Sequence, residues 1–350
     1  MRLRLLYLFF LILNAWWLGA QTNAPSKLQA HVYWNHSANS LEVNSTLSFQ
    51  KEAFSRSNTV NLYDWNHSFS SKNSPLGLSF QQRFDRSFHL ANDDERGLTS
   101  DLEITHQTVQ LSYRRIDFDV LEVSLPPSFN GDFVELEVNY KLKLPDIKFT
   151  GYGIDEQETL WLKNSLVLPI PLESTVSEVY HHFNRGDQHT GLVHYDLTFD
   201  RGDNHFIHSD LPSNSFFDFS GITANPPLFV IDHSDQSLLH YKTAKWSVHI
   251  DSKLAKNLNN PMETLERIIA FAKQALPMLD TKNLILTSSE YTESPIQLIT
   301  DFPSILSPYP DEFVQELKLL KTLMRKHLLL GFDSNMQREH FIWTDTYSTN

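Results

Sequence analysis

The stretch FVELEVNYKLKLP, Phe133 to Pro145, decides how this chain is read. Val134, Leu136, Val138, Tyr140 and Leu142 fall on one side of an extended backbone, and Glu135, Glu137, Asn139, Lys141 and Lys143 fall on the other. Successive side chains of a strand point to opposite faces, so this is a strand with one buried and one wet side. Such strands build antiparallel sheets with a solvated face. Working outward, LEVNSTLSF (41–49) and VLEVSL (120–125) alternate in the same way, and GLVHYDLTFD (191–200) reads as another strand. Pro126 and Pro127 end the 120–125 run, and the Pro, Asn and Gly of PPSFNGD mark a turn. Residues 120–145 are therefore expected to form one β-hairpin. No stretch from 22 to about 235 carries a convincing helical period.

The character changes after residue 236. WSVHID (246–251) is a last strand-like run before NNPMETLERIIAFAKQALP (259–277), which reads as a helix. Asn260 offers the N-cap, Pro261 suits the first helical position, and Leu265, Ile268, Ile269, Ala272 and Leu276 make the apolar stripe. NLILTSS (283–289) is a short strand, and PDEFVQELKLLKTLMRKHLLLG (310–331) is a second helix stopped by Gly331. The expected fold is a mainly β N-terminal domain of antiparallel sheets, saddle- or sandwich-like, over residues 21–237. The start of an α+β domain follows over 238–350.

At the N-terminus, Arg2 and Arg4 precede the apolar run LLYLFFLILNAWWLGA, which ends in Gly19 and Ala20. That order reads as a signal peptide over residues 1–20 and implies export to the periplasm or the medium. No later segment holds 18 consecutive apolar residues, so no transmembrane span is expected after cleavage. Removing Arg2 and Arg4 with the leader takes the formal charge from −13 to −15. A surface this acidic disfavours nucleic acid, whose binding rests on Lys and Arg contacts to phosphate. The chain has no cysteine, so its stability rests on its core and not on disulfides. Asn35, Asn44 and Asn66 each head an Asn-x-Ser/Thr sequon.

This order of elements is similar to that of the aminopeptidase-N-type zinc peptidases, the gluzincins. NTVNLYDWNHSF (58–69), PLGLSFQQRFDRSFHLANDDERG (75–97) and LPDIKFTGYG (144–153) resemble segments of exported bacterial members. The resemblance implies that 238–350 begins a thermolysin-like, peptidase-like domain. It also implies a zinc ion held by two histidines one helical turn apart, with a Glu between them as general base. A third ligand, another Glu, follows 19 residues after the second His. In VQELKL (314–319), Gln315 and Leu319 stand at the two His positions and Glu316 stands at the general-base position. In FIWTDTYST (341–349), Trp343 matches the family, and Thr346 stands where the ligand Glu would be. Taking His327 as the second His puts Leu323 at the first. The chain thus resembles a degenerate member, with no metal or cofactor expected and zinc only if the family activity is retained. Glu316 is the one candidate catalytic residue by position, and otherwise a solvated residue on a charged helix face.

Three functions follow as expectations. One is a non-catalytic protein binding a peptide or protein partner. The second is the front part of an active zinc aminopeptidase whose motif lies beyond Asn350. The third is a secreted β-sandwich interaction module. No Gly-x-Ser-x-Gly elbow and no phosphate-cradling Gly-rich loop is present to suggest another chemistry. The remaining candidates are in DNHFIHSD (203–210), where His205 and His208 are surface metal-ligand candidates. The surrounding turn residues suggest a loop, and in a loop or strand an offset of three places the two rings on opposite sides.

Overall fold

The structure, a computed structural model, describes residues 25–35, 38–56, 58–82, 84–172, 191–200, 205–223, 226–233, 238–242, 247–251 and 283–286, with Glu263, Glu266 and Ala270. The strands of its first half are β1 (Ser26–Asn35), β2 (Ser40–Gln50), β3 (Ser55–Arg56), β4 (Thr59–Tyr63), β5 (Leu98–His106), β6 (Val109–Gln110), β7 (Tyr113–Asp117), β8 (Val120–Ser124) and β9 (Phe133–Lys143). Then come β10 (Gly153–Ile154), β11 (Leu160–Leu162), β12 (Leu168–Pro169), β13 (Val193–Phe199), β14 (Phe206–Ser209), β15 (Asp218–Thr223) and β16 (Phe229–Asp232). β17 (Leu238–Lys242), β18 (Ser247–Asp251) and β19 (Asn283–Leu286) complete the set. The fold is mainly β.

A seven-stranded sheet runs β15-β13-β1-β2-β9-β5-β6. β9 does what its alternation dictates: Val134, Leu136, Val138, Tyr140 and Leu142 are all buried, and Phe133, Glu135, Glu137 and Lys141 are exposed. β2 turns Leu41, Val43, Leu47 and Phe49 to the same interior. Ser45 shares that face, and its hydroxyl donates to the Val138 carbonyl at 2.8 Å, which satisfies a polar group that burial would otherwise penalise. β1 departs from the antiparallel expectation on one side. It pairs antiparallel with β2 but parallel with β13, Ser26 opposite Val193.

A second sheet runs β12-β4-β8-β7, with β3 on β4. β8 belongs here, paired with β4 and β7, whereas β9 pairs with β2 and β5. The hairpin expected over 120–145 is therefore not formed. The turn at Pro126–Phe129 carries the chain from one sheet to another. Alternation encodes which face is buried, not which strand is the neighbour. Short helices at Pro75–Gln82 and Ser87–Leu90 interrupt the β half, contrary to the helix-free expectation. They bury Leu76, Phe80 and Phe88, and the Phe80 and Phe88 rings stack 5.2 Å apart. Two turns and one turn are too short to leave a readable period.

The third sheet, β10-β11-β16-β14, positions the site. Its centre is buried on both faces. Leu160, Leu162, Phe229 and Ile231 enter the main core, which also takes residues of the first two sheets. Trp161 and Val230, which point the other way, pack with Leu228 and with Leu238 of β17 in a separate cluster. That second cluster is where the fourth sheet, β17-β18-β19, meets the third. β18 and β19 are the expected strands at 246–251 and 283–289, and they pair in parallel. Glu263, Glu266 and Ala270, from the expected helix at 259–277, are helical and exposed. The expected signal peptide and the helix at 310–331 lie outside the described residues.

Candidate metal centre

β14 is four residues long and pairs only with β16, with Ile207 opposite Ile231, His208 opposite Val230 and Ser209 opposite Phe229. Ile231 and Phe229 face the main core, so Ile207 and Ser209 do too. His208 is left on the far face, in one row with Val230 and Trp161. The expected loop is thus a strand over Phe206–Ser209, because the core has a place for Ile207 and Ser209. His205 and His208 stand on opposite faces of it, as an offset of three requires.

On that far face His208 meets two more imidazoles. β17 and β18 are antiparallel, and His240 lies directly opposite His249. Directly opposed residues put their side chains on the same face of a sheet. Leu238, two residues before His240, shares that face and is buried against Trp161 and Val230. Its burial turns the face toward β14 and so brings His240 and His249 to His208. The ring centroids are 4.7 Å apart for His208 and His240, 5.0 Å for His208 and His249, and 4.6 Å for His240 and His249. One candidate ligand nitrogen from each ring lies within 4.8 Å of the other two. His208 and His249 are half-buried and His240 is exposed. The Ser247 hydroxyl lies 3.3 Å from Nε2 of His249 and orients that ring.

Three imidazoles and no carboxylate form a nitrogen donor set. Such a set suits zinc, copper, nickel or cobalt, and not calcium or magnesium, which take oxygen. A tetrahedral cation with Zn–N of about 2.0–2.1 Å needs its donor atoms roughly 3.3 Å apart. Closing from within 4.8 Å to that separation requires each ligand atom to move by roughly an ångström or less. Among the described residues this is the one group of three or more His, Asp or Glu side chains with such spacing.

His205 has a different setting. It faces His233 with ring centroids 4.3 Å apart, and Trp34 of β1 lies 4.5 Å from His205 and 5.1 Å from His233. This aromatic triangle joins the third sheet to the end of β1. His205 and His208 therefore do not share a site. Gln315, Glu316, Leu319, His327, Trp343 and Thr346 lie outside the described residues.

No protein-family model matches the chain, and no curated protein matches it. Among solved structures it is similar to an aminopeptidase N family protein from Idiomarina loihiensis, at 11% identity and a TM-score of 0.42. That match covers 74% of this chain and 38% of the other. It is also similar to an M1 zinc metallopeptidase from Deinococcus radiodurans, at 10% identity and a TM-score of 0.40, over 76% of this chain and 56% of that one. The chain thus spans well under two thirds of the length of either protein.

His240 and His249 are the residues that sequence reasoning missed. A signal for them exists. LLHYK and SVHID each centre a histidine in a strand-like run of five, and antiparallel pairing of the two runs sets 240 opposite 249. Nothing in the sequence points from that pair to His208, which is brought to it by the packing of Leu238.

Proposed function

We propose that this chain is an exported, β-rich binding protein that holds one divalent transition-metal cation of the zinc class at His208, His240 and His249. It does not work as a peptidase through the residues of the expected helix at 310–331. The observation that supports the metal site is the convergence of three imidazoles from three strands of two sheets. A cation there joins β14 to β17 and β18 and adds its coordination energy to the apolar contact of Leu238 with Trp161 and Val230. The metal is then part of what orients the fourth sheet. A peptide or protein partner is the class of ligand that the non-catalytic reading implies, with the surface around the fourth sheet formed in its final shape only when the cation is bound.

The sequence supports the non-peptidase half. Gln315 and Leu319 occupy the positions at which a gluzincin places its two zinc histidines, and a Leu has no donor atom to offer; in the alternative register Leu323 stands at the first His position and Thr346 at that of the ligand Glu. At the described positions, no helix is long and apolar enough to cross a membrane.

The test is metal content and hydrolysis, measured on the same preparation of the full chain made without chelators. We expect one equivalent of zinc per chain, lost in His208→Ala and in His249→Ala, and no cleavage of amino-acyl anilides. A protein that binds no stoichiometric metal from a zinc buffer would overturn the metal site. Anilide cleavage that disappears in Glu316→Gln would overturn the non-peptidase half.

A further inference from the structure

We infer that Asn130 and Gly131, in the connection between β8 and β9, are a site of spontaneous deamidation in the folded protein, and that the isoaspartyl product loosens the crossing from the second sheet to the first.

The chain holds one Asn-Gly pair, and this is it. Both residues are exposed and lie outside any regular element, just after the turn at Pro127 and Ser128. A Cβ on residue 131 would lie 3.2 Å from Cζ of Phe129 and 3.4 Å from the Phe133 carbonyl oxygen, so the bend favours a residue without one. The same lack of a side chain leaves the Gly131 nitrogen open to its neighbour. Among the described residues, no hydrogen bond engages the Asn130 amide or the Gly131 N–H. Asn is a thermolabile residue, and an exposed loop gives it water and freedom to react. The Gly131 nitrogen loses its proton to hydroxide and attacks Cγ of Asn130. The N–Cγ bond forms, the Cγ–Nδ2 bond breaks, and ammonia leaves. Water then opens the succinimide. Opening at the side-chain carbonyl gives Asp, and opening at the main-chain carbonyl gives isoaspartate, whose chain runs through Cβ and Cγ. One water enters and one ammonia departs.

The consequence follows from how the connection is pinned. The Leu125 N–H donates to the Asn58 carbonyl at 2.8 Å. Past it, Lys51 holds the chain on both sides of the reactive pair. Its Nζ donates to the Phe129 carbonyl at 3.3 Å and lies 5.1 Å from the centroid of the Phe129 ring. Its backbone N–H donates to the Asp132 carbonyl at 2.8 Å. Lys51 directly follows β2, so these two pins fasten residues 129 and 132 to the first sheet. Conversion to Asp leaves the main chain between the pins unchanged in length. Isoaspartate adds one carbon to it, and a span built for the shorter chain no longer seats both pins.

Ageing the full chain in native buffer at mildly alkaline pH tests both halves. Peptide mass spectrometry follows each Asn, with a second sample held in urea for comparison. We expect the peptide holding Asn130 to gain one mass unit and to split into two chromatographic forms, the isoaspartyl form in excess. Peptides holding Asn44 and Asn66 should stay unchanged in the native sample, and Asn130→Gln should remove the conversion. If the native chain keeps Asn130 intact while the urea sample converts it, the folded turn withholds the reactive geometry and the site is overturned. Urea unfolding of the aged wild type reads the second half. A population of lower midpoint should appear in proportion to isoaspartyl content and be missing from freshly made Asn130→Asp. One midpoint, equal to that of Asn130→Asp, would overturn the loosening.

Discussion

Arg115 of β7 places its Nη2 2.5 Å from Oδ2 of Asp64, a carboxylate with 1% of its side chain exposed. Asp64 sits at the head of the turn WNHSFS, and its Oδ1 accepts a second hydrogen bond from Thr99 of β5 at 2.6 Å. Asp64 thus holds Arg115 of the second sheet with one oxygen and Thr99 of the first with the other. Breaking a buried pair strands one charge without its partner and costs about 3 kcal/mol or more. Arg115→Ala is expected to lower stability by about 3 kcal/mol, because Arg115 is itself a quarter exposed and the value should fall at the low end. Urea unfolding measures this. A loss below about 1 kcal/mol would show that Thr99 and the backbone suffice for Asp64.

Zinc should stabilise the chain through the histidine trio. A ligand that binds only the folded state at a hundred times its Kd adds about 2.7 kcal/mol. We expect a gain of that order in the unfolding free energy of the wild type with excess zinc, and none in His208→Ala or His249→Ala. Thermal or urea denaturation with and without zinc reads the difference, and an equal gain in the variants would move the metal elsewhere.

His67 predicts acid sensitivity. Burial lowers its pKa below the ordinary 6.5, and Arg115 nearby lowers it further, against the opposing pull of Asp64 and the Thr99 carbonyl. With the folded value depressed, the unfolded chain binds the proton first as pH falls through about 6.5. Stability should therefore fall from about pH 6.5 downward and level off below the folded pKa. In His67→Gln that part of the slope should vanish. Urea midpoints of both proteins between about pH 7 and pH 5 decide it, since the other histidines contribute equally to both.

Gly153 and Gly191 separate strain from clash. Both have positive φ, +125° and +70°. A Cβ on Gly153 would lie 1.8 Å from the Pro145 carbonyl oxygen, whereas one on Gly191 meets nothing nearer than a Pro171 side-chain carbon at 3.9 Å. Gly191→Ala should cost about 1 kcal/mol, the penalty of a left-handed L-residue. Gly153→Ala should cost about 3 kcal/mol or fail to fold, because backbone must move. Similar losses in the two variants would contradict this packing.

The sequons are not equivalent. Asn66 is 1% exposed; its amide nitrogen donates to the Lys143 carbonyl and its amide oxygen accepts from the Tyr152 hydroxyl at 2.9 Å. Asn44 is exposed on the outer face of β2. Secretion from a glycosylating cell should yield folded protein carrying glycan at Asn44 and none at Asn66, as peptide mass spectrometry would show. Folded, secreted protein with a glycan on Asn66 would refute the placement of that turn.

Much of the fold was legible in single strands. The faces of β2, β8 and β9 follow from alternation, and β13, β18 and β19 form where apolar runs and turn residues put them. Sheet membership was not legible. The runs at 120–125 and 133–143, with a turn between them, look like a hairpin and yet enter different sheets. Trp65 and Trp161 are both buried, which no alternation in the sequence announces. In the site, His208 was visible as a candidate but was matched with His205, its neighbour along the chain.

That mismatch marks the boundary between the two kinds of information. Which side chains of a strand share a face is set by backbone sterics within a few residues, so it can be read along the chain. It is enough to say that His205 and His208 must part, and that His240 and His249 can meet across a hairpin. Bringing His208 to the other two depends on Leu238 finding Trp161 and Val230, a contact between sheets. Apolar burial is non-directional and leaves no local mark on the residues that satisfy it, so that meeting is fixed only when the third and fourth sheets pack.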